Sequence, residues 1–244
     1  LVQRIQIDEV SEKLIQGKSG VHLCCGDDGH NYYVKGYQVE RFDQAKEWIC
    51  ANLAKAFGLP VADFCLVDVD EYLYQNLKEK RLRDLGFGTC FASRQVAYAS
   101  WPGANEILTK VSIPLQADIL VFDWWIKNFD RTTVNPNLLW VPHEERLVVI
   151  DHNLSFDQEE GEVFFFNSHI FKDVKGQAFG HWVAAQEYQE RMKKALEAFQ
   201  PAVDTINEVW QWEDLEESRP FRLDSQALLT MLDKYKTPEF WSMK

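Results

Sequence analysis

Asp130, Asn135 and Asp151 are the residues of this chain whose types and order are suited to chemistry. The first two lie in Asn128-Phe129-Asp130-Arg131-Thr132-Thr133-Val134-Asn135-Pro136-Asn137, and an apolar stretch then runs into Asp151. A carboxylate, an amide oxygen soon after it and a second carboxylate beyond a strand form the polar set needed to hold a hydroxyl and a magnesium-bound nucleoside triphosphate. Phosphoryl transfer needs positioning, charge neutralisation and metal ions bridging phosphate oxygens more than covalent partners. Asp130 is suited to orient an attacking hydroxyl and accept its proton, while Asn135 and Asp151 offer the hard oxygen ligands that Mg²⁺ prefers. Arg131 is assigned no chemical step; it either pairs with a neighbouring carboxylate or steadies the loop.

Upstream, Lys35 falls inside an apolar strand, where an unpaired ammonium is costly. Glu47 on the following helix is its expected protein partner and ATP phosphate its expected ligand. The stretch Gly17-Lys18-Ser19-Gly20 is suited to a flexible loop that places backbone N–H groups near phosphate. The pattern of an Asp followed at the fifth position by an Asn occurs twice, as Asp123 with Asn128 and as Asp130 with Asn135. The first pair lies on a helical pattern, so Asp123 is read as a brace; the second leads into a strand ending at Asp151 and is read as the catalytic set.

Other motifs have blander readings. Gly17-Lys18-Ser19 imitates the end of a Walker A loop, but Glu12 stands where that loop needs its first glycine. Gly86 and Gly88 lack the third glycine of a dinucleotide fingerprint, since Phe91 stands there, and are read as a bend. Asp27-Asp28 is read as a hairpin turn rather than a calcium site because no spaced ligand series follows. His152 is assigned a structural hydrogen bond in preference to an ATP contact. Trp182, Trp210, Trp212 and Trp241 are read as packing residues.

These side chains need elements to position them. Val21, Leu23 and Cys25 alternate with polar residues, turn through Gly26-Asp27-Asp28-Gly29 and continue as Tyr32-Tyr33-Val34-Lys35, which is a hairpin pattern. Ala45, Trp48, Ile49, Leu53 and Ala56 have helical spacing, with Gly58 and Pro60 as stop signals. A strand is expected over 61–69. The charged residues 77–84 and the glycines at 86 and 88 are expected to connect two lobes, one over 1–80 and the other over 81–244. Leu115, Ile119, Phe122 and Ile126 mark an amphipathic helix that delivers the chain to Asp130. Leu138–Val141 and Leu147–Ile150 make a second hairpin, and helices are expected at about 181–199, 202–215 and 224–235. The expected class is α+β, with a small N-terminal β-rich lobe and a mostly helical C-terminal lobe.

Composition narrows the partners. With 244 residues, 46% of them hydrophobic, the chain can bury a substantial core. Its apolar runs fall far short of the roughly 20 residues needed to cross a bilayer. No basic segment followed by an apolar one opens the chain, so a cytoplasmic location is expected. The five cysteines are odd in number and lack C-x-x-C spacing, which points to free thiols rather than a disulfide framework or zinc site. A net charge of −12 disfavours direct contact with nucleic acid or an anionic membrane.

Taken together, these residues resemble the HipA-like kinases, especially the compact branch that lacks the extra N-terminal domain of the full-length toxins. The likeness is carried by the run from Asp123-Trp124-Trp125-Ile126-Lys127-Asn128 through Asp130-Arg131 and Asn135-Pro136-Asn137 to Trp140, and by Val149-Ile150-Asp151-His152-Asn153. It extends upstream through Tyr33-Val34-Lys35-Gly36, Glu47 and Leu59-Pro60-Val61. The resemblance implies a two-lobed protein-kinase-like fold with ATP and Mg²⁺ between the lobes. It makes Lys35 the ATP lysine, Glu47 its helix partner, Asp130 the catalytic Asp, and Asn135 and Asp151 the metal ligands. Two features depart from the family pattern: Asn153 stands where Gly is frequent, and the N-terminal loop differs from the Ser-containing phosphate loop of the toxins. The implied activity is that of a Ser/Thr protein kinase with a protein substrate and, as in related toxin systems, a protein inhibitor or antitoxin. A small-molecule or lipid kinase and a nucleotide-binding pseudokinase acting as an interaction module remain the alternatives.

Overall fold

A computed structural model describes residues 4–14, 20–157 and 161–242. The expected phosphate loop at 17–19 lies outside the described residues. The chain divides into a strand-rich unit, made of residues up to 48 with 62–97 and 203–223, and a helical unit made of 49–61, 98–202 and 224 onward.

The strand-rich unit contains β1 (Arg4–Lys13), β2 (His22–Gly26), β3 (Asn31–Lys35), the first half of α1 (Arg41–Phe57), β4 (Phe64–Val69), the short α2 (Glu71–Gln75) and β5 (Gly88–Arg94). Its strands close into a barrel in the order β1-β2-β3-β5-β4. The ladders are antiparallel except for β1 with β4, which is parallel. The expected hairpin is β2–β3, with Cys24 opposite Tyr32. In its turn Asp28 accepts from the His30 amide at 3.0 Å and the Tyr32 hydroxyl at 2.6 Å, so this carboxylate stabilises the turn.

Sequence periodicity concealed β1 and β5. In β1 the pairing shifts between Ile7 and Glu9 and again between Val10 and Glu12, so the inward residues Ile7 and Val10 are three apart and the alternation is broken. Strand β5 lies between β3 and β4, and Cys90, Phe91 and Ala92 are all buried. A strand covered on both faces reads as a continuous apolar run. The stretch around residue 80, expected to link two lobes, is part of the strand-rich unit. Its charged residues form a 3₁₀ turn, Lys80–Leu85, whose Leu82 and Leu85 join the barrel core with Cys24, Val34 and Val67.

The helical unit contains the rest of α1, α3 (Ala104–Lys110), α4 (Ile113–Trp125), the hairpin β6 (Leu138–Val141) and β7 (Arg146–Val149), α5 (Glu162–Ser168), α6 (Trp182–Ala195), the start of α7 (Phe199–Val209), α8 (Ser225–Leu232) and α9 (Pro238–Trp241). Helix α1 ends where expected. Gly58, at φ 95°, donates to the Lys55 carbonyl at 3.2 Å, and Leu59 donates to Ala54 at 2.9 Å, which is a Schellman cap. Pro60 then bonds through its carbonyl to the Val149 amide at 2.8 Å.

Helix α4 is buried around most of its circumference rather than along one stripe. Trp125 donates to the Leu232 carbonyl at 2.9 Å and Trp124 to Phe240 at 3.3 Å, fixing the helix that leads to Asp130. Helix α7 stops at Val209, short of the expected 215, and Trp212 makes an isolated bridge with Pro220. Trp210 and Trp241 are buried, but Trp182 is 74% exposed because it opens α6 ahead of the packed face formed by Ala185, Tyr188 and Met192. Among the described residues, no helix is long and apolar enough to cross a membrane.

Candidate active site

In the strand-rich unit, Lys35 ends β3 and Glu47 lies on α1. The ammonium is 2.7 Å from the carboxylate, with both side chains buried. Burial strips water from both charges, a heavy desolvation cost that their close contact offsets. The residue after Lys35 is under a separate constraint: a Cβ on Gly36 would lie 2.2 Å from the Leu85 carbonyl oxygen, so only glycine fits there. That same carbonyl accepts from the Tyr37 amide at 2.9 Å, pinning the chain as it leaves β3.

In the helical unit, the segment after α4 carries Asp130. Its Oδ2 accepts from Asn135 Nδ2 at 2.7 Å and from Asn137 Nδ2 at 3.0 Å. The Asn128 side chain accepts from the Asp130 amide at 3.3 Å. Thr132 donates through its amide to the Asn135 carbonyl at 3.0 Å, closing the loop between the two. Asn137 was not anticipated as a site residue. Its traces in the sequence are a position just after Pro136 and an Asn able to adopt φ 50°.

Behind this loop lies a buried polar network. Arg131 Nε donates to Asp123 at 2.6 Å, Asn128 Nδ2 donates to the same carboxylate at 2.9 Å, and His169 Nε2 is 3.0 Å from it. His169 Nδ1 accepts from the Phe171 amide at 3.0 Å, which leaves the proton on Nε2 facing Asp123. Burial pushes the Asp123 carboxyl up, but Arg131 and His169 outweigh it and hold the group far below the usual carboxylate range. Burial also keeps His169 below its ordinary value. Asp123 is therefore the brace expected from its place on a helix, and Arg131 pairs with it. No pattern near residue 169 pointed to His169.

Arg131 also reaches forward. Its Nη1 donates to the Asn137 carbonyl at 2.7 Å and to Ile150 at 3.2 Å, and the Ile150 amide donates to the Asn137 carbonyl at 3.2 Å. The residue just before Asp151 is thereby tied to the loop that carries Asp130. Asp151 itself has φ 62°, in the left-handed region that favours glycine. Such backbone costs of order 1–3 kcal/mol and persists only where its surroundings impose it. Asn153, at the position where Gly is frequent in the family, does not have positive φ. His152 is buried with its ring edge-on to Phe122 at 5.9 Å.

The oxygen donors of Asn135 and Asp151 suit Mg²⁺, which in nucleotide sites takes one or two protein oxygens and completes its shell with phosphate and water. Among the described residues, no cluster of three or more His, Cys, Asp or Glu side chains is arranged to hold a metal ion. Two protein ligands with phosphate do not require such a cluster.

The Asp130 and Asp151 segments of the helical unit, and separately the buried Lys35–Glu47 pair of the strand-rich unit, have the residue types that phosphoryl transfer calls for. The family model for HipA-like kinases matches residues 7–244, and the chain belongs to the HipA-like kinase family. No curated protein matches the sequence. Among solved structures it is similar to a Helicobacter pylori proinflammatory kinase, CtkA, at 14% identity over 96% of this chain and 92% of that one, with a TM-score of 0.48. It is also similar to the Golgi casein kinase, which has been solved with Mn and ADP bound, at 12% identity over 96% of this chain and 71% of that one, with a TM-score of 0.49.

Proposed function

We propose that this HipA-like kinase is an ATP- and Mg²⁺-dependent Ser/Thr protein kinase. The observation that carries the reading is the double anchoring of the Asp130 loop: Asn135 and Asn137 orient the carboxylate, and Arg131 ties the loop to the segment entering Asp151. Asp130 orients the acceptor hydroxyl and takes its proton as the oxygen attacks the γ-phosphorus; the bond to the β,γ-bridging oxygen breaks and ADP leaves. Asn135 and Asp151 would hold Mg²⁺, which would supply charge neutralisation on the phosphate oxygens. Lys35, oriented by its 2.7 Å contact with Glu47, is placed to meet phosphate. The family, the residue types and their hydrogen bonds support this reading.

Incubating the purified protein with γ-labelled ATP, Mg²⁺ and a cell lysate tests it. Label on protein serine or threonine, absent with Asp130→Asn, is the expected result. Label on a metabolite or lipid transfers the activity to another kinase class. ATP binding without any transfer points to a pseudokinase.

A further inference from the structure

Gln44 is a fully buried amide on α1, one turn before Glu47. Its Nε2 donates to the Gly36 carbonyl at 2.9 Å and the Val39 carbonyl at 3.1 Å. Its Oε1 accepts from the Phe91 amide at 3.1 Å, and Arg41 Nη1 approaches it at 3.5 Å. A side-chain amide has two N–H donors and two acceptor lone pairs, and all four are engaged. The reversed amide would set oxygen against two carbonyls and N–H groups against two donors, so this network admits one orientation.

The backbone groups that Gln44 contacts surround Lys35. Gly36 follows Lys35 in the chain, and Phe91 is its cross-strand partner on β5. Residues three apart on a helix share a face, so Gln44 and Glu47 approach the same strand together. Arg41, a further turn back, donates to the Thr89 carbonyl at 2.8 Å, with its guanidinium 4.5 Å from the Tyr37 ring and 5.2 Å from Trp210. Trp210 donates to the same Thr89 carbonyl at 2.9 Å. The start of α1 is thus fixed in angle and register by polar contacts of defined direction, which apolar packing alone does not provide.

We propose that Gln44 is a positioning residue that holds the Lys35–Glu47 pair in its phosphate-binding geometry, so that the pair is preassembled rather than formed by movement of α1. Its role in ATP binding rests on the phosphotransferase reading; its hold on the ion pair does not. Gln44→Met keeps the side-chain length and removes all four polar contacts.

The test measures acylation of Lys35 by acetic anhydride, by mass spectrometry, in the parent, Gln44→Met, Glu47→Gln and the double variant, alongside MgATP affinity by calorimetry. Gln44→Met should raise Lys35 labelling to the level of Glu47→Gln, and the double variant should add nothing further, the non-additivity expected of residues acting as one unit. Val10→Ala, a barrel-core change, should lower the melting temperature and leave Lys35 labelling alone. MgATP affinity should fall about tenfold in Gln44→Met, equivalent to one lost well-aligned contact. Unchanged Lys35 labelling in Gln44→Met, beside a clear rise in Glu47→Gln, would overturn the proposal. Should Gln44→Met not fold, Gln44→Asn keeps an uncharged amide but is one methylene too short to reach Gly36, Val39 and Phe91 together, and serves the same comparison. If the parent does not bind MgATP, or Lys35→Met binds it equally well, the phosphotransferase reading fails while the labelling comparison still decides Gln44.

Discussion

Arg131 and Asp123 form a 2.6 Å ion pair from which solvent is fully excluded. Asp123 lies on α4 and Arg131 beside Asp130, so one buried contact joins a helix buried around most of its circumference to the loop that carries the catalytic candidate. Replacing a buried pair by apolar groups is often neutral, but removing one partner leaves a buried charge uncompensated at a cost of roughly 3–5 kcal/mol.

Asp123→Asn should therefore act on stability. For a chain of this size that cost lowers the melting temperature by roughly 6 to 20 °C. Asn135→Ala, on an exposed part of the loop, should shift melting little and weaken Mg²⁺-dependent turnover about tenfold or more. Thermal melts and Mg²⁺ titrations of the two variants distinguish them; the reverse pattern would move the catalytic assignment to Asp123 and Asn128.

Asp130→Asn should retain ATP affinity and lose most turnover, since an oriented base acts mainly in the transition state. The expected loss is roughly 10²- to 10⁴-fold in kcat. Transfer at the parent rate would show that Asp130 is misassigned.

Asp151→Asn removes a charge while placing at φ 62° a residue type that tolerates left-handed backbone. It should melt close to the parent and bind ATP with little response to Mg²⁺. An undiminished Mg²⁺ effect in calorimetry would exclude Asp151 as a ligand.

The buried network sets a pH dependence of stability. His169 is held below its ordinary value of 6.5, so between its folded pKa and 6.5 the unfolded chain binds the extra proton. Its contribution is intact above 6.5 and declines as pH falls below that value. Asp123, held below its ordinary 3.8, contributes fully above 3.8, and that contribution is lost as pH falls toward its folded value. Melting temperatures should accordingly fall between pH 7 and pH 5. His169→Gln, which keeps a donor toward Asp123 and cannot titrate, should flatten that part of the profile; an unchanged slope would mean that another group governs it.

The sequence by itself determined the elements whose signals are local. The β2–β3 hairpin is read from alternation and an Asp-Gly turn, the end of α1 from Gly58 and Pro60, and the candidate residues Lys35, Glu47, Asp130, Asn135 and Asp151 from type and order. It also gives Asp123 and Asp130 different settings, a helical pattern for one and the approach to a strand for the other. Tertiary structure decided what depends on partners distant in the chain. Strand β5 is buried on both faces at Cys90, Phe91 and Ala92, and β1 pairs through bulges that break its alternation, so neither shows the two-residue period of a half-buried strand. Gln44 looks like any polar helix residue until Gly36 and Phe91 are brought to its amide. His169 meets Asp123 across 46 residues, and no local spacing encodes a hydrogen bond of that range.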